Sequence, residues 1–391
     1  MAVIVQKYGG SSVADVEKIG HVADRVVAAK RAGHDVVVVV SAMGKTTDGL
    51  LALARSASGE PPRRELDMLV STGERVSMAL LSIAIHARGL DAISFTGSQS
   101  GILTNDRHFD ARIIEVRPHR IQDELARGRI VIVAGYQGMS YRREITTLGR
   151  GGSDTTAVAL AAALGADRCE IYSDVDGVYS ADPRVVPDAE HLPQIDLAML
   201  AEMAESGAKV VNAQAVEWAR RNKVVIYARK TSDPVDLADG GRETVARVED
   251  EGRNVRAIVG ASNVMLAKLD ASALPAFLTT ATQHELTLGD VTSAGDVVMA
   301  QVPLLNVPDW DRCERSFKNV TWEGKHAVVS IVGHGLTGSS GALARALATL
   351  AELDIKPRAV VASPLRISLT FAERNDDLAK AQRALHAVFV D

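Results

Sequence analysis

The sequence is poor in the features that mark secreted, metal-binding and membrane proteins. Only two of its 391 residues are cysteine, and Cys169 and Cys313 lie far apart without a partner spacing, so they indicate neither a disulfide framework nor a zinc site. The longest apolar runs, DVVVVVSAM and AVALAAALGA, are shorter than the ~20 residues that cross a bilayer. The first residues, MAVIVQK, lack the charged start of a secretory signal. We therefore expect a cytoplasmic protein without a membrane partner.

The sequence also lacks an excess of positive charge. Its 44 lysines and arginines are outnumbered by 49 aspartates and glutamates, and they are spread along the chain. A broad cationic surface, which nucleic-acid binding requires, is therefore not expected. Hydrophobic residues make up 47% of the composition, which is enough for packed cores, and the length allows two or three domains. Small molecules are the expected ligands.

The first 240 residues alternate short apolar segments with segments of helical periodicity, as at 13–32 and 74–88. Continuous apolar strands between helices are typical of an open, mostly parallel sheet that is covered by helices on both faces. Ligands of such sheets bind beyond the carboxyl ends of the strands, where the polar loops are expected to meet. The predicted strands are residues 2–6, 35–41, 91–95, 129–134, 168–172 and 223–229.

The regular alternation ends near residue 240, where Pro, Gly and Asp accumulate. Beyond it the pattern is that of two short ferredoxin-like βαββαβ modules, the first of them irregular. The sequence thus predicts domains at 1–245, 255–325 and 326–391. In the first module we predict strands near 263–268, 284–291 and 296–303 and a helix near 308–317. In the second we predict strands at 326–332, 355–362 and 365–371 and helices at 340–353 and 375–388.

The loop after the first predicted strand, KYGGSS, has the composition of a phosphate-binding turn. Gly9 and Gly10 would let backbone N–H groups approach phosphate oxygens, and Lys7 would supply a positive charge. The Walker pattern GxxxxGK[ST] is absent, so these residues are equally compatible with an ordinary strand-to-helix turn. Taken alone, this loop leaves both interpretations open.

A second glycine-rich loop, TLGRGGSDTT, precedes the alanine-rich segment AVALAAALGAD. Ser153 or Asp154 could cap the helix that starts here, and Gly165 could end it. Capping does not account for Arg150, two adjacent glycines and two threonines in one turn. Glycines at a helix N-terminus beside a guanidinium form a site for a carboxylate or phosphate. We therefore interpret this loop as an anion site.

The segment EIYSDVDGVYSADPR places acidic residues directly after a predicted strand. Asp174 and Asp176 resemble the start of an EF-hand loop, but the required spacing and the terminal Glu are missing, which argues against calcium. A nucleotide loop with Mg²⁺ nearby fits the segment better, and an Asp-rich hairpin turn is the alternative. Glu74 in STGERVS and Lys209 in ESGAKVV are, taken alone, compatible with an acid at a helix start and an ordinary helical lysine.

A GxGxxG pattern at Gly333, Gly335 and Gly338 follows a predicted strand and precedes a predicted helix, as in a dinucleotide-binding fold. Too few residues follow Gly338 to build such a domain. The acidic residue that should end the next strand is also absent from IKPRAVVAS. NAD is therefore not an expected cofactor.

Taken together, KYGGSSV, VVVVSAMGKTTDGL, STGERVS, SFTGSQSGI, TTLGRGGSDTTAVALAAALGAD and EIYSDVDGVYSADPRVVPDA resemble aspartate kinases of the amino-acid kinase superfamily, over roughly residues 1–235. The resemblance implies transfer of the ATP γ-phosphoryl group to the β-carboxylate of L-aspartate, with Mg²⁺ bridging the phosphates. This reaction is the first step of aspartate-derived amino-acid synthesis, towards lysine and threonine. Glutamate, acetylglutamate or UMP kinase activity is the nearest alternative, and an amino-acid sensor with an inactive kinase part is another.

The resemblance also implies roles for individual residues. Lys7 and Lys209 would neutralise charge on the transferring phosphoryl group, and Asp154 would hold the lysines and the substrate in place. Arg150 would bind the α-carboxylate of aspartate, and Glu74 its ammonium group. The implied nucleotide-binding residues are Lys7, Tyr8, Gly9, Gly10, Ser173, Asp174, Tyr179 and Arg184. The implied substrate-binding residues are Ser41, Thr47, Glu74, Arg150, Gly152 and Ser153.

The C-terminal part resembles the paired ACT domains that bind lysine or threonine in feedback-controlled aspartate kinases. The match is poorer here, because VMLAKLDASALPAFLTTAT, GLTGSSG and ASPLRIS depart from the usual loop sequences. The apolar spacing of VVSIVG and LAKAQRALHAVF is kept, which favours survival of the fold and of the contacts of a homodimer or higher oligomer. We therefore predict weak or altered feedback by lysine or threonine.

Overall fold

The computed structural model describes residues 2–233, 241–248, 256–338 and 340–390. The predicted boundary near residue 240 and the predicted domain start at 255 lie outside the described residues, and the three-domain division stays a prediction. The chain forms two compact units. The first unit comprises Met1–Val178, Leu192–Leu200 and Val210–Asp250, and the second comprises Tyr179–His191, Ala201–Lys209 and Glu251–Asp391.

Strands and helices are numbered in chain order. The strands up to residue 250 are β1 (Val3–Tyr8), β2 (Asp35–Val40), β3 (Ala92–Phe95), β4 (Ile102–Thr104), β5 (Ile113–Val116), β6 (Ile130–Ala134), β7 (Gln137–Ser140), β8 (Ile145–Thr147), β9 (Arg168–Ser173), β10 (Val178–Tyr179), β11 (His191–Leu192), β12 (Gln194–Asp196), β13 (Ile226–Lys230) and β14 (Glu243–Arg247). The helices are α1 (Val16–Arg31), α2 (Thr46–Ala57), α3 (Arg63–Val70), α4 (Thr72–His86), α5 (His119–Ala126), α6 (Gly152–Leu164), α7 (Leu197–Glu205) and α8 (Ala213–Asn222).

The main sheet of the first unit has the strand order β12-β14-β13-β9-β1-β2-β6-β3. The six strands from β13 to β3 run parallel to one another, and β14 is antiparallel to β13. The predicted mostly parallel sheet is therefore confirmed. Because the central strands run in one direction, the loops that follow β1, β2, β3, β6 and β9 leave the same edge of the sheet.

The two faces of this sheet are covered by different helices. Ile4 and Tyr8 of β1 lie in a core with α1 and α4, together with apolar residues of β2 and β6. Helix α6 packs against β1 and β2. Since successive side chains of a strand point to opposite faces, Lys7 lies on the α6 side. Strand alternation thus directs one charged side chain of β1 towards the start of α6.

A second, four-stranded sheet in the first unit has the order β5-β4-β7-β8. The sequence analysis did not predict it, because its strands are three or four residues long and polar sequences such as QGMS and ITT lack an apolar run. Thr104 and Thr146, on β4 and β8, share a buried hydrogen bond of 2.6 Å. The small sheet is held by polar as well as apolar contacts.

The second unit is built on one six-stranded antiparallel sheet with the order β16-β17-β15-β18-β20-β19. Two apolar cores lie against it, one with α9 and one with α11 and α12. Both predicted modules therefore contribute strands to a single sheet. Its elements are β15 (Arg256–Asp270), α9 (Leu274–Gln283), β16 (Val291–Ala294), β17 (Val297–Pro303), α10 (Trp310–Glu314), β18 (Val320–Gly333), α11 (Gly341–Glu352), β19 (Ala359–Ala362), β20 (Arg366–Ala372) and α12 (Asp377–Phe389).

The predicted strand at 284–291 is wrong. The segment HELTLGD alternates apolar and polar residues, which imitates a strand. In the structure the start of this segment forms the C-terminal end of helix α9. Glu285 has a positive φ of 54°, and the Leu286 N–H donates to the Ala281 carbonyl at 2.9 Å. Strand β16 starts only at Val291.

One helical stretch of the described residues, Arg63–His86, is long and apolar enough to cross a membrane, with a mean hydropathy of 1.4. It consists of α3 and α4, which follow each other through Ser71. Core helices satisfy the same length and composition, and Leu81 and Ile85 of α4 are fully buried in the core of the first unit. The count of uninterrupted apolar residues in the sequence did not single out this stretch.

Candidate active site

A buried ion pair joins the end of β1 to the start of α6. The Lys7 Nζ atom lies 2.7 Å from Asp154 Oδ1, and the two side chains are only 11% and 8% exposed. Both charges are taken out of water, which is costly unless they are paired. The pair therefore fixes an ammonium group at the carboxyl edge of the sheet.

The glycine turn that follows Lys7 leaves room beside this ammonium. A Cβ on Gly9 would lie 3.4 Å from Lys7 Nζ, and a Cβ on Gly10 would lie 2.9 Å from the Ala42 carbonyl oxygen. The Gly9 N–H donates to the Tyr172 carbonyl at 3.1 Å. The Tyr8 ring is fully buried and stacks on the Tyr172 ring at 4.8 Å, so its side chain belongs to the core rather than to the turn.

Glu74 is held against the loop that follows β2. Its Oε1 accepts a hydrogen bond from the Ala42 N–H at 3.1 Å, while Oε2 is buried and has no hydrogen-bond partner among the described residues. Burial raises the pKa of Glu74 to about 7. Gly73 permits this approach, because a Cβ there would lie 2.8 Å from the Ala42 Cβ. Ser41 precedes Ala42, and its N–H donates to the Tyr8 carbonyl at 3.1 Å.

The RGGSD loop starts α6 with a glycine instead of a side-chain cap. Gly151 is the N-cap residue with a left-handed φ of 75°, and Ser153 and Asp154 lie inside the first helical turn. The predicted capping role of Ser153 or Asp154 is therefore wrong, and it fails because their side chains are directed elsewhere. Ser153 Oγ would be 2.7 Å from a Cβ on Gly135, which places it against the loop after β6. The predicted helix end at Gly165 is confirmed, with φ of 60°.

Gly152 and Arg150 flank this N-cap. A Cβ on Gly152 would lie 2.6 Å from the Leu148 Cβ, so the loop backbone is closely packed. The Arg150 side chain is 60% exposed, and its guanidinium lies 3.6 Å from Oδ1 of Asp48, in the first turn of α2. Thr47 precedes Asp48 in that turn. The structure thus brings Arg150 next to the turn that carries Thr47.

The loop after β9 leaves the same edge of the sheet. Ser173 ends β9, its Oγ accepts from the Val175 N–H at 3.2 Å, and its carbonyl accepts from the Thr231 hydroxyl at 3.0 Å. Asp174 is exposed. The Ser12 and Thr231 hydroxyls lie 2.6 Å apart, so the segments after β1, β9 and β13 are joined by hydrogen bonds.

Comparison with known proteins shows the family to which the chain belongs. Residues 2–228 match the amino acid kinase family, and residues 329–389 match the ACT domain. Aspartokinases of Mycobacterium tuberculosis and Corynebacterium glutamicum are 44% and 43% identical, each over 100% of this chain and 96% of the relative. Aspartokinase 2 of Bacillus subtilis is 40% identical over 100% of this chain and 98% of its own. The chain belongs to the aspartokinase family.

Solved aspartokinase structures share the fold. The crystal structure of E. coli aspartokinase III in complex with aspartate and ADP has a TM-score of 0.86 over 100% of both chains, at 24% identity. The aspartate kinase from Synechocystis is 34% identical with a TM-score of 0.57, covering 100% of this chain and 70% of its own. The predicted resemblance to aspartate kinases and the α/β architecture with a C-terminal ACT module are confirmed.

Three of the predicted site residues of this aspartokinase family member lie in the second unit. Arg184 is exposed and holds Asp182 through two hydrogen bonds of 2.9 Å, which lower the pKa of Asp182. The charge of Lys209 lowers the same pKa to a smaller extent. The prediction that Lys209 is helical is wrong, since this residue lies between the end of α7 and the start of α8. The Tyr179 ring packs edge-on against His191 at 5.3 Å.

Two residues at the site were not singled out from the sequence. Tyr136 is buried with a positive φ of 68°, and burial raises the pKa of its hydroxyl. The charge of Glu74 raises this pKa further, and the charge of Arg150 lowers it. Asn212 contacts the RGGSD loop from the start of α8. An Asn directly before the helical pattern AQAVEWARR is a recognisable N-cap signal, but nothing in the sequence indicates its second contact.

Proposed function

We propose that this member of the aspartokinase family transfers the γ-phosphoryl group of ATP to the β-carboxylate of L-aspartate, forming 4-phospho-L-aspartate and ADP. The observation that carries the proposal is the buried Lys7–Asp154 pair, which holds an ammonium group beside the Gly9 turn. A cation at a turn without side chains is suited to phosphate oxygens. Aspartate as acceptor is supported by aspartokinase relatives that match the whole chain at 40–44% identity.

The acceptor itself needs no strong general base. A β-carboxylate with an ordinary pKa of ~3.9 is already ionised at neutral pH. What the site has to supply is alignment, and neutralisation of the charge that spreads over the phosphoryl oxygens. Lys7 would provide that charge. Asp154 would hold the lysine ammonium in position and not act as a base.

The substrate would be oriented by the groups at the edge of the sheet. Glu74 Oε2, which is buried and has no hydrogen-bond partner among the described residues, is suited to the substrate ammonium. Arg150 would bind the α-carboxylate through its planar guanidinium. Ser41, Thr47, Gly152 and Ser153 stay proposed substrate contacts, supported by their places in the loops around these two groups.

Mg²⁺ would enter with the nucleotide. Within the described ranges no group of three or more His, Cys, Asp or Glu is arranged to hold a metal ion. Mg²⁺ commonly keeps several waters and binds substrate phosphates, so we propose that phosphate and water oxygens supply most of its ligands. When bound, it would neutralise charge on the β- and γ-phosphates.

We propose that Ser173, Asp174, Tyr179 and Arg184 form the nucleotide loop and that Lys209 is the second catalytic cation. Within the second unit, the proposal is supported by Asp182, whose pKa is lowered by hydrogen bonds from Arg184 and, to a smaller extent, by the charge of Lys209. We also propose an amino-acid effector at the ACT modules with weak or altered response, a homodimer or higher oligomer, and a cytoplasmic location.

The test measures ADP release with aspartate, glutamate, acetylglutamate and UMP as acceptors. Aspartate should be strongly preferred, because the relatives that match the whole chain are aspartokinases. Lys7→Ala and Asp154→Ala should each lose phosphoryl transfer by on the order of 10²-fold or more, since one preorganised charge contact contributes that much. Circular dichroism should show both variants folded. Full activity in both folded variants would exclude the proposed roles of the pair, and activity only with another acceptor would exclude aspartate.

A further inference from the structure

Asn212 makes more contacts than a helix cap requires. It is the N-cap residue of α8, and its Oδ1 accepts from the Gln214 N–H at 2.9 Å. An N-cap uses only this acceptor. The Asn212 carbonyl accepts from the Val216 N–H at 3.1 Å within α8, whereas its Nδ2 and backbone N–H are directed at the RGGSD loop and the first turn of α6.

Three hydrogen bonds connect Asn212 to that loop. Its Nδ2 donates to the Arg150 carbonyl at 2.8 Å, its backbone N–H donates to Asp154 Oδ2 at 3.3 Å, and its Oδ1 accepts from the Thr155 hydroxyl at 3.1 Å. The loop also packs on its side chain, because a Cβ on Gly151 would lie 2.8 Å from the Asn212 Cβ. Asn212 therefore contacts residues on both sides of the N-cap glycine of α6, namely the Arg150 backbone and the Asp154 and Thr155 side chains.

These contacts constrain two groups of the proposed chemistry. The Asp154 carboxylate is held at Oδ1 by Lys7 and at Oδ2 by the Asn212 N–H, which fixes the plane of the carboxylate. The Arg150 backbone is anchored at its carbonyl, although its guanidinium is largely exposed. The anchor sets the point from which this long side chain reaches its ligand.

We infer that the Asn212 side chain is a positioning group for phosphoryl transfer, acting through its Nδ2 contact with the Arg150 carbonyl. The inference rests on the proposed function, since it takes Arg150 as the group that binds the substrate α-carboxylate. A misplacement of about 1 Å far from the reacting atoms can cost on the order of 10²-fold in rate. The Nδ2 contact of Asn212 is the one that a plain helix cap would lack.

Substitutions separate the positioning contact from the cap. Asn212→Ser keeps a good N-cap acceptor but has no Nδ2 donor for Arg150. Asn212→Asp keeps the acceptor towards Gln214 and Thr155 but turns a carboxylate oxygen towards the Arg150 carbonyl. Asp15→Ala is the matched control, because the Asp15 side chain caps α1 through the Lys18 N–H, far along the chain from the RGGSD loop.

We expect both Asn212 variants to keep a Tm near that of the wild type. The KM for aspartate should rise about tenfold in Asn212→Ser and further in Asn212→Asp, with the KM for ATP changed less than twofold. Asp15→Ala should lower Tm and leave both KM values unchanged. Wild-type kinetics in both Asn212 variants would overturn the inference, and so would parallel losses in Tm, both KM values and kcat. Failure of the wild-type protein to release ADP with aspartate would instead overturn the proposed function.

Discussion

At the scale of single residues, Glu74 shows how burial changes the chemistry of an ordinary carboxylate. Its side chain is 3% exposed, one oxygen has a backbone donor, and the pKa is raised to about 7 because burial disfavours the charged form. Near neutral pH the free protein therefore holds a mixture of the neutral and charged forms. A substrate ammonium at Oε2 would favour the charged form.

This pKa predicts how aspartate binding depends on pH. Below pH 7 the ammonium must displace a proton from Glu74, so the KM for aspartate should rise up to about tenfold per pH unit between pH 7 and 5.5. The β-carboxylate of aspartate stays ionised in this range. Steady-state kinetics at saturating ATP measure the effect. In Glu74→Gln the KM should be high and nearly independent of pH, and a pH-dependent KM in that variant would contradict the assignment.

The raised pKa of Glu74 also predicts how the stability of the substrate-free protein depends on pH. Since the folded pKa of Glu74 lies above its ordinary value of 4.5, its contribution to stability is complete below that value and is lost as pH rises through 7. The loss is on the order of 3 kcal/mol at pH 8. Without substrate, Glu74→Gln should therefore have a higher Tm than the wild type at pH 8 and a similar Tm at pH 5. An equal Tm difference between Glu74→Gln and the wild type at both pH values would show that the charged form of Glu74 does not destabilise the folded protein.

At the scale of secondary-structure elements, helix α6 depends on two glycines with different surroundings. Both its N-cap, Gly151, and its C-cap, Gly165, have a positive φ. A Cβ on Gly151 would meet Asn212 at 2.8 Å, whereas a Cβ on Gly165 would have no neighbour within 4 Å. A side chain would therefore adopt an unfavourable left-handed backbone at both ends of α6, but it would meet a neighbouring residue only at Gly151.

This difference predicts different outcomes for the same substitution. Gly165→Ala should destabilise the protein by only ~1 kcal/mol, from the left-handed backbone alone, and leave the kinetics unchanged. Gly151→Ala should destabilise more and should also raise the KM for aspartate, because the added methyl displaces the RGGSD loop from Asn212. Thermal unfolding and steady-state kinetics compare the pair. Equal effects of both substitutions on the KM would contradict the packing argument.

At the scale of the whole molecule, the second unit contains more than the ACT modules. Segments 179–191 and 201–209, which carry Arg184 and Lys209, belong to the same compact unit as the six-stranded sheet. Ser180 Oγ lies 2.8 Å from His386 Nε2 of α12, and Ala181 lies in the same apolar core as α12. Segment 179–191 is therefore packed on α12 within the second unit.

The loops of that module predict its response to effectors. The sequences GLTGSSG and ASPLRIS differ from the usual ACT loop sequences, while the strands and helices of the module retain their apolar pattern. We expect lysine and threonine, singly or together at millimolar concentration, to inhibit phosphoryl transfer weakly. ADP release at subsaturating aspartate measures this. Strong concerted inhibition would show that the altered loops still bind the effectors.

The sequence alone determined those features that depend on short-range patterns. Apolar runs such as DVVVVV predicted the buried parallel strands, and Gly165 predicted the end of α6, because periodicity and backbone freedom are local properties. The motifs also identified the family. The alternating segment HELTLGD shows the limit of such patterns, because a helix end had the same alternation as a strand.

Only the tertiary structure decided which side chains are brought together. Lys7 and Asp154 are 147 residues apart in the chain, yet strand alternation and the packing of α6 bring them into an ion pair. The unpartnered oxygen of Glu74 and the second contact of Asn212 likewise arise from packing between distant segments. Burial and long-range contacts depend on the complete fold, and no local spacing encodes them.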